Sequence, residues 1–475
     1  MSHPGESSEA IPRDFTHIDR LFDLWMGDPG FRSAVTGPSE GLATILAQSR
    51  VELQAEHLSP FVRVFEVAAR AGADSPGLEA ELKKAPIGRA WLDWKQARTE
   101  AYEAVQATRL ATGIARVDTW RKRQICRVNS EAYPAPYDFA PPLFAFELSK
   151  GCSKQCWFCA FSPPTLQETF LHTRENAELW RDVVESMHGL FGAAMHSSVL
   201  FHATEPTDNS DYLEFLSDFH AICGSYPHTT TAQPLKDVEW TRRLLAMRSA
   251  NPAIRDRFSV LSVKSLHDIF RAFAPEEMAH VALALHNSGA LTSKNHCGSA
   301  LRHARRLNSE QEILQQYRHS HTAPQTTLEC TIGYLVNMVD RTIELISPTN
   351  ASDQWPLGYI VHGEGRFDDA GSFLAFVRRS IEQVMRDSLP GRDPVALRAD
   401  LCFESATDGF VLTSRYRRHE LKGNAHFALL GRLLSDGRHC AEEVAHELAN
   451  DGMPVLTAVA WLERLYQGGL LREAR

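Results

Sequence analysis

Three cysteines, Cys152, Cys156 and Cys159, stand close together in the segment Phe144-Ala-Phe-Glu-Leu-Ser-Lys-Gly-Cys-Ser-Lys-Gln-Cys-Trp-Phe-Cys159. Thiolates are soft ligands, suited to zinc and to iron–sulfur clusters. A structural zinc site pairs Cys-x2-Cys units with further Cys or His ligands, and this Cys-x3-Cys-x2-Cys run has no such pairing. His172 is the nearest residue that zinc could recruit, and it completes no clean pair. A [4Fe–4S] cluster fits better, because three thiolates leave one of its four irons open. An open iron can chelate the amino and carboxylate groups of a co-substrate. Trp157 and Phe158, between the last two cysteines, are aromatics that shield a cluster from solvent.

What must position these thiols is legible in the flanking text. A strand over Leu143–Leu148 leads into Gly151 and the first cysteine. Further candidate strands are Ser198–Ala203, Thr229–Ala232, Phe258–Val263, His280–Leu285 and Thr327–Gly333. Amphipathic helical stretches lie between most of them: Glu175–Gly189, Asp211–Ile222, Val238–Ala250 and Ser309–His319. Such alternation predicts a parallel sheet with helical crossovers. Six units predict an open or partial barrel rather than a full eightfold one.

The cysteine segment and these repeats resemble the radical S-adenosylmethionine (SAM) superfamily over about Leu143 to Gly333. The resemblance implies a partial (β/α)6 barrel, a [4Fe–4S] cluster on Cys152, Cys156 and Cys159, and SAM on the open iron. In that superfamily the second strand ends in a Gly-Gly-Glu-type segment that contacts the SAM amino group. Phe201-His-Ala-Thr-Glu-Pro206 stands there, with Ala203 and Thr204 in place of the glycines. Glu205 and the backbone at Thr204 carry over. Ser262 and Lys264, at the end of the fourth candidate strand, lie where ribose or carboxylate contacts are often made. Phe158 completes the implied cofactor contacts.

Further segments resemble the radical SAM peptide epimerases that install D-residues in ribosomal peptides of the proteusin (polytheonamide) kind. They are Cys156–Cys159, Thr204-Glu-Pro-Thr-Asp-Asn-Ser-Asp-Tyr212, Thr229-Thr-Thr-Ala-Gln-Pro-Leu-Lys-Asp237, Cys330-Thr-Ile-Gly-Tyr-Leu-Val-Asn-Met338 and Ile346-Ser-Pro-Thr-Asn-Ala-Ser-Asp-Gln-Trp-Pro-Leu-Gly-Tyr359. That chemistry needs a 5′-deoxyadenosyl radical to take a Cα hydrogen, and a thiol on the opposite face to return one. Cys330 is the chosen donor. It falls on the last candidate strand, where alternation places Leu328, Cys330 and Ile332 on one face and Thr327, Glu329 and Thr331 on the other. Cys402 and then Cys297 follow as candidates. Asp208, Asn209 and Asp211 read either as peptide-backbone ligands or as a turn and helix cap. Trp355-Pro356 reads as groove lining or as core.

The flanks have their own texture. Residues 1–13 read as a disordered tail, 14–132 as a helical domain, and 133–142 as a proline-rich linker. Phe15, Ile18, Leu21, Phe22 and Trp25 recur at helical spacing, the mark of a buried stripe. Residues 143–400 form the barrel and substrate region, and 401–475 a C-terminal α+β domain. In the last, Phe403–Gly423 reads as a hairpin pair turning at Asp408-Gly409, followed by helices over His426–Ser435, Ala441–Asn450 and Pro454–Gly468. This resembles a winged-helix module and the peptide-recognition elements that accompany peptide-modifying enzymes. Such modules bind a leader peptide by adding its strand to a sheet edge.

Composition limits the alternatives. The 475 residues, 43% hydrophobic and 23% charged, describe a globular chain of two or three domains. A net charge of −9 gives no global basic surface for nucleic acid. No run approaches the roughly 18 apolar residues that span a bilayer, and the start lacks a signal-peptide pattern. Nine cysteines, an odd number, fit a reducing cytoplasm. The expected activity is L-to-D epimerisation in a ribosomal precursor peptide, with leader and core as partner. An external electron donor of flavodoxin or ferredoxin type would reduce the cluster. Two rivals stand beside it: thioether or carbon–carbon crosslinking, which commonly brings a cysteine-rich auxiliary domain, and a non-catalytic, metal-stabilised peptide-binding protein.

Overall fold

The structure is a computed structural model that describes residues 13–36, 41–53, 58, 61–67, 76–131, 141–248, 256–292, 297–306 and 329–473. Nearly all of the proposed tail and of the linker, the Ser309–His319 helix and Thr327–Leu328 lie outside those residues.

The chain is a mixed α/β protein with several sheets and no closed barrel among the described residues. It opens with helices α1 (Arg13–Gly27), α2 (Pro86–Leu110) and α3 (Ala115–Glu131), with short helices between the first two. Then come β1 (Phe144–Glu147), α4 (Arg174–Phe191), α5 (Tyr212–Cys223), β2 (Thr230–Thr231), α6 (Val238–Arg248), β3 (Asp256–Val260), α7 (Val263–Ala272), β4 (Val281–Leu285) and α8 (Gly298–Arg306). After these lie β5 (Gly333–Asn337), β6 (Thr342–Pro348), β7 (Tyr359–Arg366) and α9 (Ala370–Gln383).

The expected parallel strands are present but divided. β2, β3 and β4 form one parallel sheet. β1 pairs in parallel with β5, and β6 and β7 extend that sheet antiparallel. The second expected strand is reduced to two bridges. Ala145 pairs with Val199 and Glu147 with Phe201, on the flank of β1 opposite β5. The last expected strand, Thr327–Gly333, is displaced: β5 starts at Gly333. Gly333 is required there, because a Cβ would stand 2.1 Å from the Leu143 carbonyl oxygen.

Side-chain alternation divides the interior. Phe144, Phe146, Ile332, Tyr334, Val336 and Met338 pack with Trp180, Phe215, Phe219 and Phe373 beneath the helices. Ala145, Leu335 and Ile346 line the opposite, concave side with Val199. The N-terminal helices cover the outer face of β3 and β4. Ile18, Leu21, Leu24 and Trp25 of α1 share a core with Phe258, Val260, Leu266 and Leu285. Buried Arg20 donates to the carbonyls of Ser49, Phe270 and Phe273, tying α1 to α7. Burial of this apolar stripe, at about 25 cal/mol per Å², is what holds a helix of mixed propensity in place.

The C-terminal unit has its own core, drawn from Val395, Phe410, Leu412, Leu430, Leu448, Leu462 and neighbours. Strands β8 (Cys402–Ala406), β9 (Gly409–Thr413) and β10 (Arg418–Leu421) form an antiparallel sheet in chain order, followed by α10 (Ala425–Asp436), α11 (Ala441–Asn450) and α12 (Val455–Gln467). Val395 and Leu397 join through bonds to His439 and Leu434, so the segment serving this core begins upstream of Leu401. Among the described residues, no helix is long and apolar enough to cross a membrane.

Candidate functional site

The cysteine segment follows β1 as a tight loop shaped by left-handed residues. Gly151 has φ +84°, and a Cβ there would lie 2.5 Å from the Thr165 carbonyl oxygen. The Cys152 amide donates to the Pro164 carbonyl at 3.0 Å. The Gln155 side chain donates to the carbonyls of Cys152, Pro163 and Pro164, stitching the loop across its mouth. Asp208 accepts from both the amide and the hydroxyl of Ser153, at 2.8 and 2.6 Å.

Cys152 is buried, while Cys156 and Cys159 are half-buried, and none of the three is in a disulfide. Burial pushes the Cys152 thiol up to about 11 and Cys156 to about 12. For Cys156, repulsion from Cys152 and Cys159 adds to burial. Burial raises Cys159 as well. Backbone N–H groups of Lys154 and Gln155 face the Cys152 sulfur, and those of Phe161 and Ser162 face the Cys159 sulfur. Three thiols within electrostatic reach of one another, each costly to ionise alone, form a donor set that a cationic centre would satisfy. Among the described residues, no three His, Cys, Asp or Glu side chains converge as ligands of a single ion. His172 is occupied elsewhere, 2.8 Å from Asp218.

The aromatic pair divides its work. Phe158 is buried and stacks on His286 at the end of β4, with centroids 3.6 Å apart. Trp157 is 39% exposed, so shielding of the loop falls to Phe158.

The segment after the second expected strand turns sharply. Ala203 has φ +49°, a conformation that favours glycine and costs another residue about 1 kcal/mol. Glu205 behind it is buried, and its oxygens accept from the Thr207 amide and hydroxyl, the Thr231 hydroxyl and the Ala232 amide. Those four donors match the capacity of one carboxylate. Glu205 thus staples the turn to β2. Burial raises its pKa, against the pull of these bonds. Thr204 is half-buried in the same turn, its amide 3.4 Å from the Phe201 carbonyl.

Ser262 and Lys264 also take local roles. The Ser262 hydroxyl caps α7 by accepting from the Ser265 amide, in a reciprocal capping box. Lys264 is solvent-facing and pairs with Asp268 one turn on. The bonds the structure gives these two side chains are local ones within α7 and its cap. Asn209 donates to the carbonyls of Leu148 and Phe170, and Asp211 accepts from the His172 amide, so this run is a structural turn.

The structure places Cys330 before β5, not on it. Glu329 folds back to accept from the amides of Cys330 and Thr331, which ends any strand there. The neighbours of Cys330 along the chain face opposite sides. Ile332 enters the helix-backed core, whereas Glu329 reaches across to His202. Cys330 is half-buried, and burial with the adjacent Glu329 charge pushes its thiol up to about 12, against Arg257. Cys402 is exposed on β8 of the C-terminal unit. Cys297 is fully buried where α8 meets the cysteine loop.

Sequence reasoning missed the polar centre of the concave side. His202 Nδ1 is 3.3 Å from Glu147 and its Nε2 2.5 Å from Glu329. Asn337 donates to the second Glu147 oxygen at 2.8 Å. The Phe161 ring, two residues past Cys159, lies 4.1 Å from the imidazole. Burial opposes charge on His202, but Glu329 and Glu147 outweigh it and raise its pKa to about 10. Burial also opposes charge on Glu329, and His202 with Thr331 holds that carboxyl low. The result is an imidazolium between two carboxylates beside the cysteine loop. The only sequence signal was polar residues at the inward positions of strand ends.

Residues 395–469 match the family model for the protein y4wI C-terminal domain. No solved structure matches the chain. Among curated proteins, the chain is 32% identical over 462 residues to "Uncharacterized protein y4wI" of Sinorhizobium fredii (strain NBRC 101917 / NGR234), covering 97% of this chain and 88% of that protein. Similarity sustained from the N-terminal helices through the cysteine loop to the C-terminal unit means that the chain belongs to the y4wI family.

Proposed function

We propose that this protein is a radical SAM enzyme that epimerises L- to D-residues in a ribosomally synthesised precursor peptide. The observation that carries the reading is the three-thiol loop at the carboxyl end of β1, on a set of parallel strands backed by helices. In this reading β1, Val199–Phe201, β2, β3, β4 and β5 are an incomplete radical SAM barrel. Cys152, Cys156 and Cys159 would hold a [4Fe–4S] cluster, and the open iron would bind SAM. With reductant, that pair supplies a 5′-deoxyadenosyl radical able to take a Cα hydrogen.

The chain's own residues bind, shield and return hydrogen. Phe158, stacked on His286, excludes water beside the loop. Thr204 offers backbone near the cofactor, while Glu205 holds the turn that presents it. Cys330 is the hydrogen donor in this reading. A donor of hydrogen atoms must keep its S–H bond, and a thiol pushed up to about 12 is protonated at neutral pH. Its backbone is fixed by Glu329, which is fixed in turn by His202. The C-terminal unit has the strand–strand–strand–helix–helix–helix order of a winged-helix-like peptide-recognition element. Its edge strands β8 and β10, with exposed Val455, Leu456 and Val459 on α12, offer a leader peptide backbone pairing and apolar contact.

Co-expression with a precursor peptide encoded beside it, in deuterated water, tests the reading. Each epimerised residue gains one deuterium at Cα. Cys330→Ala should still release 5′-deoxyadenosine and yield no D-residue. A variant that epimerises normally removes Cys330 from the donor role, and wild type that never labels a peptide removes the reaction.

A further inference from the structure

The two halves of the cysteine loop are held in different ways. The Cys152 half is closed by its own segment, through Gln155, Pro164 and the Asp208 contact with Ser153. The Cys159 half leans on a separate element. The Ser299 and Ala300 amides, at the start of α8, donate to the Cys159 carbonyl at 2.9 and 3.4 Å. The Ser299 hydroxyl meets the Ser162 hydroxyl at 3.0 Å, just past the last cysteine. One turn further on, the His303 ring lies 5.0 Å from that of Trp157. The approach is as close as backbone allows: Gly298 has φ +56°, and a Cβ there would sit 1.8 Å from the Ala160 carbonyl oxygen. On its other side, the Gly298 amide reaches the Pro356 carbonyl at 3.3 Å. α8 is therefore wedged between the cysteine loop and the Trp355–Gly358 turn.

We infer that α8 is a clamp that holds Cys156–Cys159 in ligating shape, with Gly298, Ser299 and His303 as positioning residues. This rests on the reading of the three cysteines as cluster ligands. The physical argument concerns where the loop spends its conformational freedom. A carbonyl held by two helix-end amides cannot rotate without losing both bonds, and the last cysteine's side chain is thereby aimed. Glycine at 298 is what allows the helix end to reach that carbonyl. Gly298 then serves the site, and Cys297 before it is buried because it lies at the wedge.

Two readouts on the full-length protein test the clamp. The first is iron retention: after anaerobic reconstitution and challenge with a chelator, Gly298→Ala should lose its iron at least five-fold faster than wild type. The Ser299→Ala/His303→Ala double variant, which leaves the backbone approach intact, should fall between them. The second needs no cluster. In apoprotein, iodoacetamide should label Cys159 several-fold faster in Gly298→Ala, with Cys402 and Cys440 as internal standards that label at the wild-type rate. Equal retention and equal Cys159 labelling in all three proteins would overturn the clamp. If Gly298→Ala misfolds, seen as faster labelling of Cys440 as well, the double variant decides. Wild type that binds no iron defeats the cluster reading, and the labelling rates then decide the clamp alone.

Discussion

His202 Nε2 and Glu329 Oε2 meet at 2.5 Å with both side chains buried, joining the turn beside the cysteine loop to the segment that leads into β5. Glu147, at 3.3 Å from the other ring nitrogen, completes a carboxylate–imidazolium–carboxylate row. Desolvation makes such a row a poor source of net stability, but removing its centre is costly, because buried Glu329 and half-buried Glu147 lose their cation. His202→Ala should therefore destabilise the protein by about 3–5 kcal/mol. Urea unfolding measures it. A loss below about 1 kcal/mol would mean that water reaches the carboxylates and the row is not sealed.

The same pair sets a pH dependence. The His202 pKa is raised to about 10 in the folded chain, above the ordinary histidine value of 6.5. A raised folded pKa means that the stabilisation is complete below pH 6.5 and is lost as pH climbs through about 10. Thermal unfolding of wild type should fall progressively over that window. Glu329→Gln, which lacks the main counter-charge, should show a flatter decline there.

Asp23, on α1 one turn beyond Asp19, behaves in the opposite sense to an ordinary carboxylate. It lines a cavity of about 170 Å³ with Lys95 and Arg98, and burial followed by repulsion from Asp19 raises its pKa to about 7. A raised acid stabilises fully below its unfolded pKa of 3.8 and costs stability as pH rises through about 7. Asp23→Asn should thus stabilise the chain by about 1–3 kcal/mol at pH 8, and by less at pH 5. Equal melting shifts at the two pH values would show that the carboxylate is well solvated.

Glu205 accepts from four protein donors, so its loss should be structural before it is chemical. Glu205→Ala strands the Thr207 and Ala232 amides and two hydroxyls, at a cost of about 2–4 kcal/mol. Glu205→Gln keeps the shape and should lose less than half of that. If both variants instead unfold like wild type while losing SAM affinity in equilibrium dialysis, the carboxylate is a ligand and not a staple.

Some of this was legible in the sequence, for physical reasons. The cysteine loop shows in spacing because its three thiols are close in the chain, and Ala203, at φ +49°, adopts a backbone conformation that favours glycine. The C-terminal helices show because Gly437, at φ +66°, and Gly452 stop them. The Glu147–His202–Glu329 row was invisible, since its members come from three distant segments with no common pattern. The β5 boundary was misread because Thr327–Gly333 has strand-like composition, while Glu329 spends its carboxylate on the two following amides. That Ser262 caps α7 and Lys264 pairs with Asp268 was not legible, because a capping serine and a surface lysine look, in sequence, like polar ligands at a strand end.

The α12 surface carries the remaining prediction. Leu456 is 84% exposed, so Leu456→Lys should leave the melting temperature within about 1 °C of wild type. In the proposed reading it should weaken binding of the leader peptide about ten-fold, measured by fluorescence anisotropy. Unchanged affinity would move the leader to another face.

The account turns on what the three thiols hold. Anaerobically purified full-length protein should be brown and carry about four iron and four sulfide per chain, with the signal of a reduced [4Fe–4S] cluster after dithionite. Replacing Cys152, Cys156 and Cys159 together with alanine should abolish all of it. A colourless wild-type protein with zinc or no metal on those sulfurs, and no iron taken up on reconstitution, would contradict the account.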